Sequence, residues 1–351
     1  SGKSAKGGEE MLTPRRIEIF KAIVDEFVQT AEPVGSKTLM EKYQLPYSSA
    51  TIRNDMMVLE EMGLLEKTHT SSGRVPSTKG YKFYCEHLME HKLEHQLEVA
   101  VREHLASKPL NLDDAIRESC NILSQMTNLT SGVLGPDASR QRLEHVKLFP
   151  ISNRSAVAVF ITDLGHTENR TFQFDDDLSV EDIQTCCQIL NDRLKGTLIK
   201  DVVDKMDSIK PILAAHVKRH EMLFQAFVNA FVKFASENVY FSGQNNMLYQ
   251  PEFADIEKLK ELMAMMENPS LWRQIGMTAN SELALKMNEN AQLVWVNDMA
   301  VVTSKFKLGG DEEGQLMVFG PSRMDYDRIV SLLELVSQSI ESLYGKGGSH
   351  E

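Results

Sequence analysis

Apolar residues recur at helical spacing through Ile17, Phe20, Ile23, Val24, Phe27 and Val28, and Thr13-Pro14 precedes them as N-cap and first helical residue. Glu32-Pro33-Val34-Gly35 breaks the pattern, Ser36 is placed to cap a short second helix to about residue 43, and Gln44-Leu45-Pro46-Tyr47 turns the chain into a third. That third helix, over 48–63, has marks at both ends: Ser48 as N-cap and Gly63 as stop. Ile52, Met56, Leu59 and Met62 form its apolar face, whereas Ser48, Thr51, Asn54 and Asp55 point elsewhere. Beyond Gly63, residues 64–70 read as a strand, Ser71-Ser72-Gly73-Arg74 as a tight turn and Val75 onward as the returning strand. Helix, helix, turn, helix and hairpin together predict a winged helix-turn-helix.

The rest of the chain alternates between the two periods. A linking helix is predicted from Tyr81 to about 105, an amphipathic helix over 112–126, and a strand over 131–135 that closes at Pro136. Three β-like runs follow at 143–151, 155–162 and 167–174. Helices come next at 179–195, 197–207 and 211–235, the last carrying Leu223, Phe224, Phe227, Phe231 and Phe234 as a core or a dimer contact. A strand at 239–241, strands within 292–308 and 314–320, and a final helix over 325–344 complete a multidomain α+β chain.

Composition narrows the function. The 351 residues suffice for two or three domains, and no apolar run approaches the roughly 18 residues of a membrane span. Ser1–Glu10 lacks the apolar core of a signal peptide and reads as an added remnant or a disordered tail, so a cytoplasmic protein without a membrane partner is expected. Cys85, Cys120, Cys186 and Cys187 have no C-x-x-C spacing and read as reduced packing residues. Residues 11–92 balance 11 basic against 11 acidic side chains, so the whole net charge of −12 lies in the body. Within that neutral part, Lys67, Arg74, Lys79 and Lys82 form a basic run free of acid.

These residues point to double-stranded DNA. Short hydroxyl and amide side chains gather at the amino end of the third helix, where free N–H groups and the helix dipole favour phosphate. Base reading is assigned to Ser49, Thr51 and Asn54. Phosphate or groove contact is assigned to Ser48, Arg53, Lys67, Arg74 and Lys79. Two other chemistries compete. His87, His91 and His95 recur every four residues on the predicted linking helix, a weak metal candidate beside the expectation of no cofactor and no metal. Gly309-Gly310-Asp311-Glu312 lies between two β-like runs as in diguanylate cyclases, but Glu313 replaces the phenylalanine and only 37 residues follow Gly314. Neither a phosphate-cradling loop of the G-x-x-x-x-G-K-S/T type, nor G-x-S-x-G, nor H-E-x-x-H occurs, so no catalytic site and no enzyme is expected.

The motifs also carry a family resemblance. Met11-Leu-Thr-Pro-Arg-Arg16, Glu32-Pro-Val-Gly-Ser-Lys-Thr-Leu39, Ser49-Ala-Thr-Ile-Arg-Asn-Asp-Met56 and the run from His69 to Tyr81 resemble the HrcA-type heat-inducible transcription repressors of bacteria. The likeness continues through the stretch from Leu190 to Gly196, Gln250-Pro-Glu-Phe253 and the stretch from Gly320 to Tyr326. It implies a homodimer that represses heat-shock (chaperone) operons by binding an inverted-repeat operator, is released on heat stress, and is assisted by the chaperonin. It also implies a GAF-like domain interrupted by an inserted dimerisation domain. The expected layout is the winged helix-turn-helix at 11–85, the GAF-like domain with its linking helix at 86–137 and 237–345, and the insert at 138–236. The alternatives are a ligand- or metal-gated repressor and a degenerate nucleotide cyclase-like enzyme.

Overall fold

The computed structural model describes residues 12–69, 72–91, 93–107, 111–135, 138–174, 179–235, 239–268, 284–296, 298–309 and 312–345. The expectations for Ser1–Glu10, Thr70, Ser71, Pro136, Gly310 and Asp311 therefore lie outside the described residues. Helix α1 (Pro14–Thr30) opens where Thr13 Oγ1 accepts the Arg16 N–H at 3.3 Å, and it ends at Ala31 in the left-handed region, φ 56°. Helix α2 (Ser36–Lys42) differs from expectation at its start. Gly35 is its N-cap, and Ser36 is already helical with its hydroxyl 3.1 Å from that of Ser49.

Helix α3 (Ser49–Glu61) has the expected Ser48 cap, whose Oγ accepts the Thr51 N–H at 3.1 Å. Ile19, Phe20, Ile23, Leu39, Ile52 and Leu59, each fully buried, join the three helices in one core. The hairpin is shorter than its sequence pattern suggests. Strands β1 (Leu65–Lys67) and β2 (Arg74–Pro76) pair antiparallel, with Lys67 opposite Arg74. Val34 and Arg74 exchange both backbone hydrogen bonds at 2.9 Å, which ties the hairpin to the loop between α1 and α2. Gly73 makes that approach possible, because a Cβ there would lie 2.8 Å from the Pro33 carbonyl carbon.

The predicted linking helix is broken. Helix α4 (Thr78–Phe83) runs into one π-helical turn, Tyr84–Leu88, after which Met89 is extended and α5 (His95–Ser107) starts afresh. Tertiary contacts make the break. The Tyr84 hydroxyl donates to Asp327 at 2.6 Å and the Glu90 N–H donates to the same carboxylate at 2.7 Å.

The body holds two further sheets, so the chain is α+β with several sheets. Helix α6 (Leu112–Thr127) leads to β3 (Thr130–Leu134), which lies in a six-stranded antiparallel sheet. Its other strands are β7 (Val239–Ser242), β8 (Ala284–Lys286), β9 (Ala291–Val296), β10 (Met299–Lys307) and β11 (Glu313–Pro321), in the order β7-β3-β11-β10-β9-β8. Strand β8 has no counterpart in the sequence expectations, three residues being too short for a period to show. On one face Leu293, Trp295, Val302 and Val318 pack with α11 (Tyr326–Tyr344) and α6. On the other face Val301, Met317 and Phe319 pack with Met247, Phe253 and Leu262, the last from α10 (Ile256–Met266). The sheet is covered on both sides.

Between β3 and β7 stands a second three-stranded sheet with its own core. Strands β4 (Leu143–Ser152), β5 (Ser155–Thr162) and β6 (Thr167–Gln173) pair in that order. Ala156, Ala158 and Phe160 face α7 (Val180–Leu194), α8 (Ile199–His216) and α9 (His220–Ala235). Pro211 does not begin a helix as expected but lies inside α8, where buried Ile209 and Leu213 on either side hold the helix together. The α9 aromatics belong to this core, with Phe160 and Phe231 ring centroids 4.9 Å apart. All four cysteines are free thiols, and burial pushes Cys120 up to about 12.

Candidate nucleic-acid interface

Helix α3 brings the proposed base-reading residues and Arg53 to one end. The Ser48 and Thr51 hydroxyls lie 2.8 Å apart, and Ser49 Oγ accepts from an Arg53 terminal nitrogen at 3.2 Å. Arg53 Nε also reaches Ser36 Oγ at 3.5 Å, so the α2 amino end joins the cluster. The Arg53 guanidinium thus rests on neutral hydroxyls, and no ion pair holds it among the described residues. Asn54 is exposed beside it. A cation parked on weak neutral partners at a helix amino end can exchange them for phosphate or a guanine edge at little cost.

Asp55 is not on the polar face where the sequence pattern put it; it is 2% exposed. Arg15 Nε donates to Oδ2 at 2.6 Å and Arg16 Nε to Oδ1 at 3.1 Å, which binds α3 to the first turn of α1. Burial alone would push this carboxyl up. The hydrogen bonds and charges of Arg15 and Arg16 outweigh it and hold Asp55 below the usual carboxylate range. Helical periodicity hides this because the partners lie 39 and 40 residues away.

The remaining basic residues divide. Lys67 is exposed on β1. Lys79 is exposed, but its ammonium donates to the Met62 carbonyl at 3.1 Å. Arg74 is engaged: its Nε lies 2.7 Å from Glu60, and another nitrogen donates to the Ser72 carbonyl at 2.6 Å. It fastens the hairpin to the far end of α3. The solvent face of α3, made of Ala50, Arg53, Asn54, Met57 and, at its far end, Glu61, also includes two apolar residues that the polar reading passed over.

The histidine candidate loses its geometry. His87 falls in the π turn, His91 in the connection after it and His95 at the start of α5, so the three do not share a helix face. Among the described residues no group of three or more His, Cys, Asp or Glu is placed to hold a metal ion. Strands β10 and β11 form an ordinary antiparallel hairpin around Gly309 and Glu312, with Leu308 N–H donating to the Glu312 carbonyl at 2.8 Å. No described helix is long and apolar enough to cross a membrane.

Comparison with known proteins agrees over nearly the whole length. Residues 113–330 match the family model described as the HrcA protein C terminal domain. The chain is 38% identical over 335 residues to the heat-inducible transcription repressor HrcA of Bacillus pumilus, covering 95% of this chain and 98% of that protein. It is 36% identical over 338 residues to the HrcA of Listeria welshimeri, covering 96% and 98%. A crystal structure described only as that of a hypothetical protein has a TM-score of 0.68 at 21% identity, covering 95% of this chain and 98% of the other, and shares the fold. Family model and near-full-length relatives agree, and this chain belongs to the HrcA family of heat-inducible transcription repressors.

Proposed function

We propose that residues 11–85 are a winged helix-turn-helix that places α3 in the major groove of an inverted-repeat operator of chaperone genes. One observation carries the reading: Arg53 rests on the Ser36 and Ser49 hydroxyls near the amino end of α3, held by no carboxylate among the described residues. Ser49, Thr51 and Asn54 read bases, Arg53 takes phosphate or a guanine edge in the groove, and Ser48, Lys67 and Lys79 make phosphate or groove contacts. Arg74, through Glu60, orients the wing instead.

An inverted repeat calls for two heads. The six-stranded sheet with α6 and α11 is proposed as the GAF-like domain, and residues 138–236 as an inserted dimerisation domain. The outer face of β4–β6 supports the dimer. Val157, Val159 and Ile161 alternate with the core residues of β5 and are only half-buried, and Phe149 and Ile151 on β4 are 45% and 62% exposed. Release on heating and assistance by the chaperonin are carried over from the family resemblance.

The test is binding to an inverted-repeat duplex and to a scrambled duplex of equal length at two salt concentrations. A preference of about a thousandfold with steep salt dependence is expected. Equal, weak binding would sink the operator reading. For the chaperonin, the measured quantity is the DNA-binding fraction of freshly refolded protein, which should rise over a buffer control when chaperonin is added.

A further inference from the structure

We infer that Met57, with Ala50 two turns before it, forms an apolar subsite on α3 that reads the 5-methyl groups of thymines in the operator. This rests on the proposed placement of α3 in the major groove and adds to it a base that the polar residues do not account for.

Met57 is 53% exposed, the most exposed large apolar side chain among the described residues of 12–91. An isolated exposed apolar side chain is ordinary, so position must carry the argument. Ala50, Arg53, Asn54 and Met57 are the exposed residues of α3 up to Met57, spaced i, i+3, i+4 and i+7, and so lie along one stripe. Helical side chains lean toward the amino end, which carries the Met57 thioether back over the turn that presents Arg53 and Asn54. A helix that delivers Arg53 and Asn54 to base edges therefore delivers Met57 to the same groove floor. The chemistry available there for an apolar group is the thymine methyl, which marks A·T pairs in the major groove and is absent from the other base edges. Methionine suits the contact because its unbranched, polarisable chain adapts to a surface whose exact position is set by other bonds.

The spacing fixes a scale. Seven residues of α3 span about 10 Å, which corresponds to at most about three base-pair steps, since each step is about 3.4 Å along the duplex axis and longer along the groove. Ala50 and Met57 therefore sit over methyls no more than about three steps apart in each half-site.

The experiment uses the full chain and the inverted repeat that it selects from a random duplex library. Each thymine of the half-site is replaced in turn by deoxyuridine, which removes only the methyl. The wild-type chain should lose affinity about fourfold per half-site at a small number of positions, the effect of one buried methyl. Met57→Ala should lose a similar factor on the thymine duplex and become indifferent to uracil at one of those positions. Met57→Gln, of similar length but polar, should behave like Met57→Ala. Undiminished uracil sensitivity in both variants, or wild-type affinity in either, would overturn the subsite while leaving operator recognition standing. If the wild-type chain selects no repeat at all, the operator reading fails first and takes this inference with it.

Discussion

Arg15 and Arg16 meet α3 on one side, and Arg53 projects from α3 on the other; the same functional group serves two ends. The first pair closes on the buried Asp55 at 2.6 and 3.1 Å, a contact already complete in the free chain. Arg53 rests on two serine hydroxyls at 3.2 and 3.5 Å and keeps its charge unpaired among the described residues. A guanidinium with a carboxylate is part of the fold; one with neutral hydroxyls is poised for an outside anion. Arg74, bound to Glu60, belongs with the first group although it stands in the basic run.

Substitutions should separate these groups. The largest stability effect is expected for Asp55→Ala, which leaves two partly exposed guanidinium groups without their shared partner and should destabilise the head by about 2 kcal/mol. A fall in the thermal midpoint by circular dichroism checks it. Because the folded Asp55 carboxyl lies below its unfolded value, its contribution is complete above about pH 4 and is lost as pH falls through the lower folded value. Asp55→Asn should remove that part of the acid limb; an unchanged limb would mean that the pair contributes nothing.

Arg53→Ala should reverse the pattern. Operator affinity should drop by about 10- to 100-fold, if the guanidinium is bidentate to guanine, with a melting curve within about 0.5 kcal/mol of wild type. Equal operator affinity would break the division between the two kinds of arginine. The smallest effect is expected for Lys67→Ala, which should weaken all duplexes alike and lower the salt slope by about one. Arg74→Ala, measured beside it, should leave the slope unchanged.

Much of the fold was legible because its elements carry their own signals. The runs at 143–151, 155–162 and 167–174 match β4, β5 and β6 within a residue, since alternation and turn residues are local. Asp325 caps α11 where the final helix was expected, and Asn128 in the left-handed region ends α6 close to the expected limit. The failures are tertiary. The sequence between Tyr84 and His95 contains no proline or glycine, yet Asp327 takes both the Tyr84 hydroxyl and the Glu90 N–H and the helix parts there. Pro211 reads as a start and stands inside α8, because burial on both sides outweighs one missing hydrogen bond. In the candidate site, Ser48 and Arg53 could be read from capping and charge. The burial of Asp55 and the diversion of Arg74 could not, because each depends on a partner far along the chain.

The pairing of β3 with β7 sets how the middle of the chain is mounted. Leu134 and Val239 are direct neighbours in the six-stranded sheet, so the residues between them leave and return through one two-stranded neck. Such a neck alone would be a swivel. Asp113 of α6 adds a third point of attachment, accepting the Thr167 N–H at the start of β6 at 3.1 Å and lying 2.7 Å from His166 just before it. Three points define an orientation, and the β4–β6 sheet is braced against the body as a bracket is against a wall. In a dimer joined through that sheet, the distance between the two α3 helices would then follow from the rigidity of this mounting and from the junction where Tyr84 meets Asp327, Tyr81 packs on Tyr326 and Arg323 donates to the Val28 carbonyl at 3.3 Å.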